Sequence, residues 1–155
     1  MDQKPGHAAL RRGRVSLTGQ IYNITTVTLG RTAFFRDFAA GCAAARCFEN
    51  ERLLGDARML AWVLMPDHAH WLIQCGEHDG LATVVNRIKS ASAREANRVL
   101  GRVGALWQRA YHDHALRSDE DVVAVARYRY IVANPIRAGL VRQAGQYPLW
   151  NAVWL

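Results

Sequence analysis

The strongest constraint on the fold is a two-residue turn between two apolar segments. Residues 59–65 are almost entirely apolar, Pro66-Asp67 follows, and a second apolar run covers residues 68–75. Proline and aspartate favour tight turns, and short apolar runs bounded by turn residues are typical of buried strands. The sequence therefore predicts an antiparallel β-hairpin.

His68 and His70 lie two residues apart on the second strand of this hairpin. Side chains alternate between the two faces of a strand, so both histidines point to one face and Ala69 points to the other. Two neutral imidazoles and an oxygen ligand suit Mg²⁺ or Mn²⁺ bound with substrate oxygens and water. A packed or exposed pair without a metal shows the same pattern, so the pair alone leaves both interpretations open.

The segments around the hairpin predict alternating strands and helices. Residues 21–29 are rich in β-branched side chains and predict a strand. Thr32 can cap a helix, and a long helix is predicted to end near Leu100. The apolar positions of the first helix are Phe35, Phe38, Cys42 and Ala45, and those of the second are Leu81, Val84, Val85, Ile88, Ser92 and Val99.

The chain after Gly104 predicts a fourth strand and a last helix. Residues 107–117 form the strand, which contains a second pair, His112 and His114. Ser118 can cap a helix that runs to Ala133, where Asn134-Pro135 ends it.

The order of these elements is β-α-β-β-α-β with an extra C-terminal helix. This order is typical of a ferredoxin-like α+β fold, in which two helices cover one face of a four-stranded antiparallel sheet. The first and third strands are then neighbours at the centre of the sheet. A chain of 155 residues forms one domain of this size, so we predict a domain over residues 20–155 after a basic arm over residues 1–19.

The predicted last helix carries two tyrosines, Tyr128 and Tyr130. Residues two apart on a helix are separated by roughly 200°, so only one of them can face the histidines. Tyr130 shares a stripe with Arg127 and Asn134. A metal that withdraws charge from a phosphate would let its hydroxyl attack and form a phosphotyrosine, and Asn134 could supply a metal ligand. A core tyrosine is the alternative.

The chain has a net charge of +7, and Lys4 and Lys89 are its only lysines. Arginine is favoured for bidentate contact with phosphates, so the charge favours a nucleic-acid partner. The candidate DNA-binding residues are Arg11, Arg12 and Arg14 in the arm, Arg87, Arg94 and Arg98 along the long helix, and Arg127. Solvated arginines on a cationic protein are the alternative for each group.

The cysteines and the hydropathy favour a cytoplasmic location. Cys42, Cys47 and Cys75 are odd in number and lack C-x-x-C spacing, as expected for reduced core thiols. No apolar run reaches the length of a membrane span, and the N-terminus lacks the apolar core of a signal peptide.

Four segments together resemble the REP-associated tyrosine transposases, relatives of the single-tyrosine HUH transposases. They are Met65-Pro66-Asp67-His68-Ala69-His70, Trp107-Gln108-Arg109, His112-Asp113-His114-Ala115-Leu116-Arg117, and the run from Tyr130-Ile131 through Asn134-Pro135 to Val141. The resemblance extends from about Gly13 to Trp150. The last segment is specific to the family, whereas the histidine pair by itself is not.

The resemblance implies a metal-dependent enzyme that cuts and rejoins single-stranded DNA. It assigns the metal to His68 and His70 and the nucleophile to Tyr130, with a hairpin-forming repetitive extragenic palindrome as the substrate. His114 recurs in the family pattern, either as a neighbour of the metal site or as a residue that holds the fourth strand, and the structural role is the favoured one. We also expect a monomer associated with the bacterial nucleoid.

Two other functions remain open at this stage. A domesticated, non-catalytic hairpin-binding protein would keep the fold and the arginines, but would bind DNA without forming a covalent adduct. A zinc hydrolase would use both His-x-His pairs and would not need Tyr130, although the sequence offers no well-placed carboxylate base.

Overall fold

A computed structural model describes residues 17–117, 121–126 and 133–154. A five-stranded sheet in the order β4-β1-β3-β2-β5 lies at the centre of the described structure, and every strand pair in it is antiparallel. The strands are β1 (Ile21–Val27), β2 (Arg58–Leu64), β3 (His68–Gln74), β4 (His112–Ala115) and β5 (Trp150–Ala152). The predicted α+β class and the central position of the first and third strands are confirmed.

Two helices on one side of the sheet account for most of the helical structure. The α-helices are α1 (Phe38–Ala45), α2 (Glu51–Leu54), α3 (Leu81–Leu100), α4 (Val122–Ala124) and α5 (Asn134–Arg137). Short 3₁₀ turns cover Leu29–Arg31, Phe34–Arg36 and Ala144–Gln146. Helices α1 and α3 pack against each other. None of the helices in the described ranges is long and apolar enough to cross a membrane.

The two faces of the sheet bury different sets of side chains. The helix-covered face holds the main core, in which Ile24, Trp71 and Ile88 are fully buried. The other face carries both histidines of β3 and a smaller apolar cluster, in which Leu72 packs with Val125 from the segment after α4. The described beginning of the C-terminal segment therefore lies on the histidine face.

The first helix begins later than the sequence predicts. Thr32 does not cap it; Asp37 does, by accepting a 3.0 Å hydrogen bond from the Ala40 amide. The backbone carbonyl of Thr32 instead accepts a hydrogen bond from the Thr28 hydroxyl, which keeps this segment in a turn. Phe35 is therefore buried from a 3₁₀ turn, and Phe38 is 59% exposed rather than in the core.

Helix α3 matches its prediction except at its C-terminal end. Its predicted apolar stripe is buried from Leu81 to Ser92, but Val99 is exposed because it lies in the last turn, beyond the area that the sheet covers. Gly101 ends the helix in a left-handed conformation. The helix also buries Lys89, whose ammonium group donates to the carbonyls of Gln108 and Arg109 at 2.7 and 3.1 Å.

The C-terminal third differs most from the sequence prediction. β4 spans only four residues, and Trp107 contributes an isolated bridge to Thr28 instead of belonging to that strand. Asn134-Pro135 begins the short helix α5, because proline is tolerated in a first helical turn, and the residues just before Ala133 lie outside the described ranges. Ser118 and Tyr130 lie outside the described residues, so the predicted tyrosine helix stays a prediction.

Candidate metal centre and DNA-binding face

His68 and His70 lie side by side at the centre of the sheet. Their ring centroids are 5.0 Å apart and the ring planes are nearly perpendicular, at 89°. The register places His70 between Thr25 on β1 and Val63 on β2, while His68 is opposite Val27 at the end of β1. Both side chains are half-buried, on a strand that is paired on both sides, with β1 and with β2.

Each imidazole is held through the same ring nitrogen. Asp67 Oδ1 lies 2.7 Å from His68 Nδ1, and Thr25 Oγ1 lies 3.0 Å from His70 Nδ1. A histidine that binds a metal usually bonds its other ring nitrogen to a carboxylate, carbonyl or hydroxyl group, which fixes the tautomer and the ring orientation. Bonding through Nδ1 in both rings fits coordination of one cation through the two Nε2 atoms.

The electrostatic surroundings keep His70 in the form that binds metals. Burial, together with the charges of His68 and Arg137, lowers the pKa of His70 to about 3. The ring is therefore neutral at pH 7, as a metal ligand must be. The influence of Arg137 also shows that helix α5 lies close to the histidine pair.

The third ligand is not defined by the described residues. Within these ranges, no three histidine, cysteine, aspartate or glutamate side chains converge on one point. Asn134 is half-buried at the start of α5, three residues before Arg137, so its helix is near the pair. The donor set therefore fits a cation such as Mg²⁺ or Mn²⁺ that takes its remaining ligands from Asn134, the substrate or water.

The second histidine pair lies on the same face of the sheet. His112 is opposite Thr25 and His114 is opposite Asn23, and both residues are exposed. Thr25 on β1 therefore lies between His70 on β3 and His112 on β4. His114 belongs to the next row, opposite Asn23, which in turn is opposite Leu72 rather than a histidine of β3, and its role stays a prediction.

The three predicted arginines within the described residues do not lie on the histidine face. Arg87 forms an ion pair with Asp79 at 3.2 Å, and Arg98 pairs with Glu95 at 3.0 Å. Arg87, Arg98 and the exposed Arg94 all belong to α3, which covers the opposite face of the sheet. Arg11, Arg12, Arg14 and Arg127 lie outside the described residues. The α3 arginines therefore form a surface separate from the histidine pair.

Three residues near the histidines were not predicted from the sequence to belong to the site. Thr25 and Asp67 orient the rings, and Arg31 lies 3.5 Å from the Asp67 carboxylate through its Nε. Asp67 could have been found, because an acidic residue beside a His-x-His pair is a recognisable signal. Thr25 could not, because its contact depends on the register of strands that are distant in sequence.

The chain is similar to several known proteins. Residues 18–133 match the family described as "Transposase IS200 like". A REP-associated tyrosine transposase of Escherichia coli K12 is 30% identical over 90 residues, which cover 57% of this chain and 50% of the relative. A Haemophilus influenzae protein provisionally given the same name is 29% identical over 99 residues, covering 57% of this chain and 55% of that protein. The chain thus spans about half the length of these curated relatives.

Two solved structures share the fold. The structure of a REP-associated tyrosine transposase bound to a REP hairpin has a TM-score of 0.66 at 20% identity, over 97% of this chain and 82% of that one. A protein of Deinococcus radiodurans, provisionally named a transposase, has a TM-score of 0.53 at 20% identity, over 76% and 88% of the two chains. At these identities the likeness extends to the fold alone.

Proposed function

Because this chain belongs to the IS200-like transposase family, we propose that it cuts and rejoins single-stranded DNA as a REP-associated tyrosine transposase. The observation that carries the proposal is the pair of imidazoles at the centre of the sheet, each oriented by a contact at its Nδ1.

In the proposed reaction Tyr130 is the nucleophile. Its phenolic oxygen attacks the phosphorus of a DNA phosphodiester, a new bond forms between them, and the bond from phosphorus to the 3′ oxygen breaks. The phenol loses its proton and the departing 3′ oxygen takes one up, so the products are a 5′-phosphotyrosine and a 3′ hydroxyl. Attack of a 3′ hydroxyl on the phosphotyrosine reverses these steps and joins strands without an external energy source.

The metal requirement follows from the low acidity of tyrosine. A phenol with an ordinary pKa of about 10 is mostly protonated at neutral pH. Mg²⁺ or Mn²⁺, when bound, would offset charge on the scissile phosphate. His68 and His70 would hold that ion, and Thr25 and Asp67 would fix the two rings. Asn134 is proposed as the third protein ligand.

The proposed substrate is a hairpin of a repetitive extragenic palindrome with a single-stranded flank. The names of the E. coli and H. influenzae relatives and the hairpin in the complex of similar fold support this choice. The net charge of +7 favours DNA binding. We also propose that the protein acts as a monomer, close to the DNA of the bacterial cytoplasm.

A cleavage assay on a 5′-labelled hairpin oligonucleotide with Mg²⁺ or Mn²⁺ tests the proposal. We expect the parent chain to cut the single-stranded flank and Tyr130→Phe to show no cutting. Tyr128→Phe is the matched control, because it removes the neighbouring phenol and should leave cleavage intact. Cleavage by Tyr130→Phe at the parent rate would refute the assignment of the nucleophile. Hairpin binding without cleavage by the parent would instead indicate a domesticated binding protein.

A further inference from the structure

We propose that Arg31 binds a DNA phosphate at the rim of the metal centre and that Asp67 positions both this arginine and His68. The inference rests on the proposed function, which supplies the DNA and the metal. It adds a DNA-binding residue in the 3₁₀ turn after β1, beside the Asp67 carboxylate that contacts His68 and away from the arginines of α3.

The backbone at Arg31 is strained. Its φ angle is +54°, and it is the only residue other than glycine with a positive φ in the described ranges. Left-handed backbone is unfavourable for a residue with a Cβ atom, and such strain persists where surrounding contacts fix it, often at functional sites. A glycine would relieve the strain at Arg31, so stability alone does not explain an arginine there.

Several hydrogen bonds hold this strained turn in place, two of them to the β-hairpin formed by β2 and β3. The Thr28 hydroxyl donates to the carbonyls of Thr32 and Asp67 at 2.7 and 3.0 Å, and the Thr28 amide donates to the Asp67 carbonyl at 2.9 Å. The Leu29 amide donates to the Leu106 carbonyl at 2.8 Å. The position of Arg31 relative to Asp67 is therefore fixed by the backbone.

The Asp67 carboxylate links Arg31 to the metal centre. One oxygen contacts His68 Nδ1 at 2.7 Å, and the other lies 3.5 Å from Arg31 Nε. The arginine side chain nevertheless remains 64% exposed. An exposed ion pair at this distance adds little stability, whereas a guanidinium directed by a carboxylate can present its terminal nitrogens to a phosphate.

The Asp67 carboxylate therefore lies between the positive charge of Arg31 and His68, the candidate metal ligand. A DNA strand whose scissile phosphate lies at the histidines would bring a neighbouring phosphate to this end of β3. Arg31 would then fix the DNA strand relative to the metal. Asp67 would hold the Arg31 guanidinium and the His68 imidazole in fixed positions relative to each other.

The test measures hairpin binding as a function of salt. A labelled hairpin oligonucleotide with a single-stranded flank is titrated with Tyr130→Phe protein, so that cleavage does not interfere, by fluorescence anisotropy in increasing NaCl. We expect adding Arg31→Gly to reduce the slope of log affinity against log salt by about 1, as for the loss of one phosphate contact. Its melting temperature should be equal to or above that of the parent, because glycine relieves the strain.

Two further variants separate DNA binding from folding and from general charge. Asparagine also tolerates left-handed backbone. Arg31→Asn should therefore show the same reduced salt slope if the glycine variant does not fold. Arg58→Gln removes one exposed positive charge at the opposite end of the sheet, where Arg58 pairs with Gln74, and should leave the salt slope unchanged. Mn²⁺ binding, followed by electron paramagnetic resonance, should be retained in Arg31→Gly and lost in His68→Ala.

The outcomes distinguish this inference from the proposed function. An unchanged salt slope in folded Arg31→Gly or Arg31→Asn, or an equal loss in Arg58→Gln, overturns the assignment of Arg31 while cleavage by the parent still stands. If the parent neither binds the hairpin nor cuts it, the proposed function fails and the role of Arg31 fails with it.

Discussion

The hydroxyl of Thr25 lies 3.0 Å from Nδ1 of His70, across the pair of strands at the centre of the sheet. This contact, made from a neighbouring strand, sets the ring orientation of a half-buried candidate metal ligand. On the same strand, Thr26 points to the opposite face, is fully buried, and its hydroxyl has no hydrogen-bond partner in the part of the chain that the structure describes. Two adjacent threonines thus provide a test residue and its control.

Thr25→Val should weaken Mn²⁺ binding by roughly 10-fold, the lower end of the effect of losing such an orienting partner. Valine keeps the shape of threonine but cannot bond to the imidazole. Thr26→Val should leave Mn²⁺ affinity unchanged and should not lower stability, because it removes an unsatisfied buried hydroxyl. Isothermal titration calorimetry measures both affinities. Equal affinities in the two variants would show that the hydroxyl of Thr25 does not orient the ring.

Asp67→Ala should weaken Mn²⁺ binding by about 10- to 100-fold, because His68 loses the acceptor at its Nδ1. Asp67→Asn retains an acceptor oxygen without the charge, so it should restore part of this affinity. The same titration ranks the three proteins. If alanine and asparagine have the same effect, the hydrogen bond is not what matters; if neither has an effect, Asp67 has no role at the metal site.

Lys89→Met should lower the free energy of unfolding by about 2–3 kcal/mol, since the ammonium makes charge-assisted hydrogen bonds to two backbone carbonyls. Methionine fills a similar volume but leaves both carbonyls without this donor. Arg94→Met on the exposed side of the same helix should change stability by less than about 0.5 kcal/mol. Urea unfolding gives both values. A difference between the variants below the experimental error would contradict a structural role for Lys89.

Tyr147 makes a pH-dependent contribution to stability at alkaline pH. Its hydroxyl donates to the Leu64 carbonyl, and burial raises the pKa of Tyr147 to about 12 from an ordinary 10.0. Between these two values the unfolded chain loses the proton while the folded chain keeps it, so the stabilisation present at lower pH is lost as the pH rises. Tyr147→Phe should cost about 1 kcal/mol near pH 8, and the difference from the parent should shrink above pH 10. A difference that stays constant from pH 8 to pH 12 would contradict this account.

The sequence predicts the hairpin and the histidine pair because both depend on local patterns. Pro66-Asp67 fixes the turn, and the period of two along a strand places His68 and His70 on one face. The structure confirms both features through the pairing of Val63 with His70 and the ring separation of 5.0 Å.

The features that could not be predicted depend on contacts between distant segments. β5 has three residues and forms only by pairing with β2, as in the pair of Trp150 and Val63. The start of α1 lies later than predicted because the segment after Thr32 is held in a turn, in which the Phe35 amide donates to the Pro66 carbonyl at 3.1 Å, and Asp37 then caps the helix. Arg31 stands out only when its backbone conformation is known, since an arginine after Gly30 has no distinctive pattern.

The most direct test of the proposed chemistry is the identification of a covalent adduct between the protein and DNA. The parent chain is incubated with Mn²⁺ and a hairpin oligonucleotide with a single-stranded flank, then denatured, digested and analysed by mass spectrometry. We predict a nucleotide attached through a 5′-phosphate to Tyr130, absent from Tyr130→Phe and from reactions with chelator. Cleaved DNA without an adduct, or an adduct on another residue, would contradict a tyrosine transposase mechanism with Tyr130 as its nucleophile.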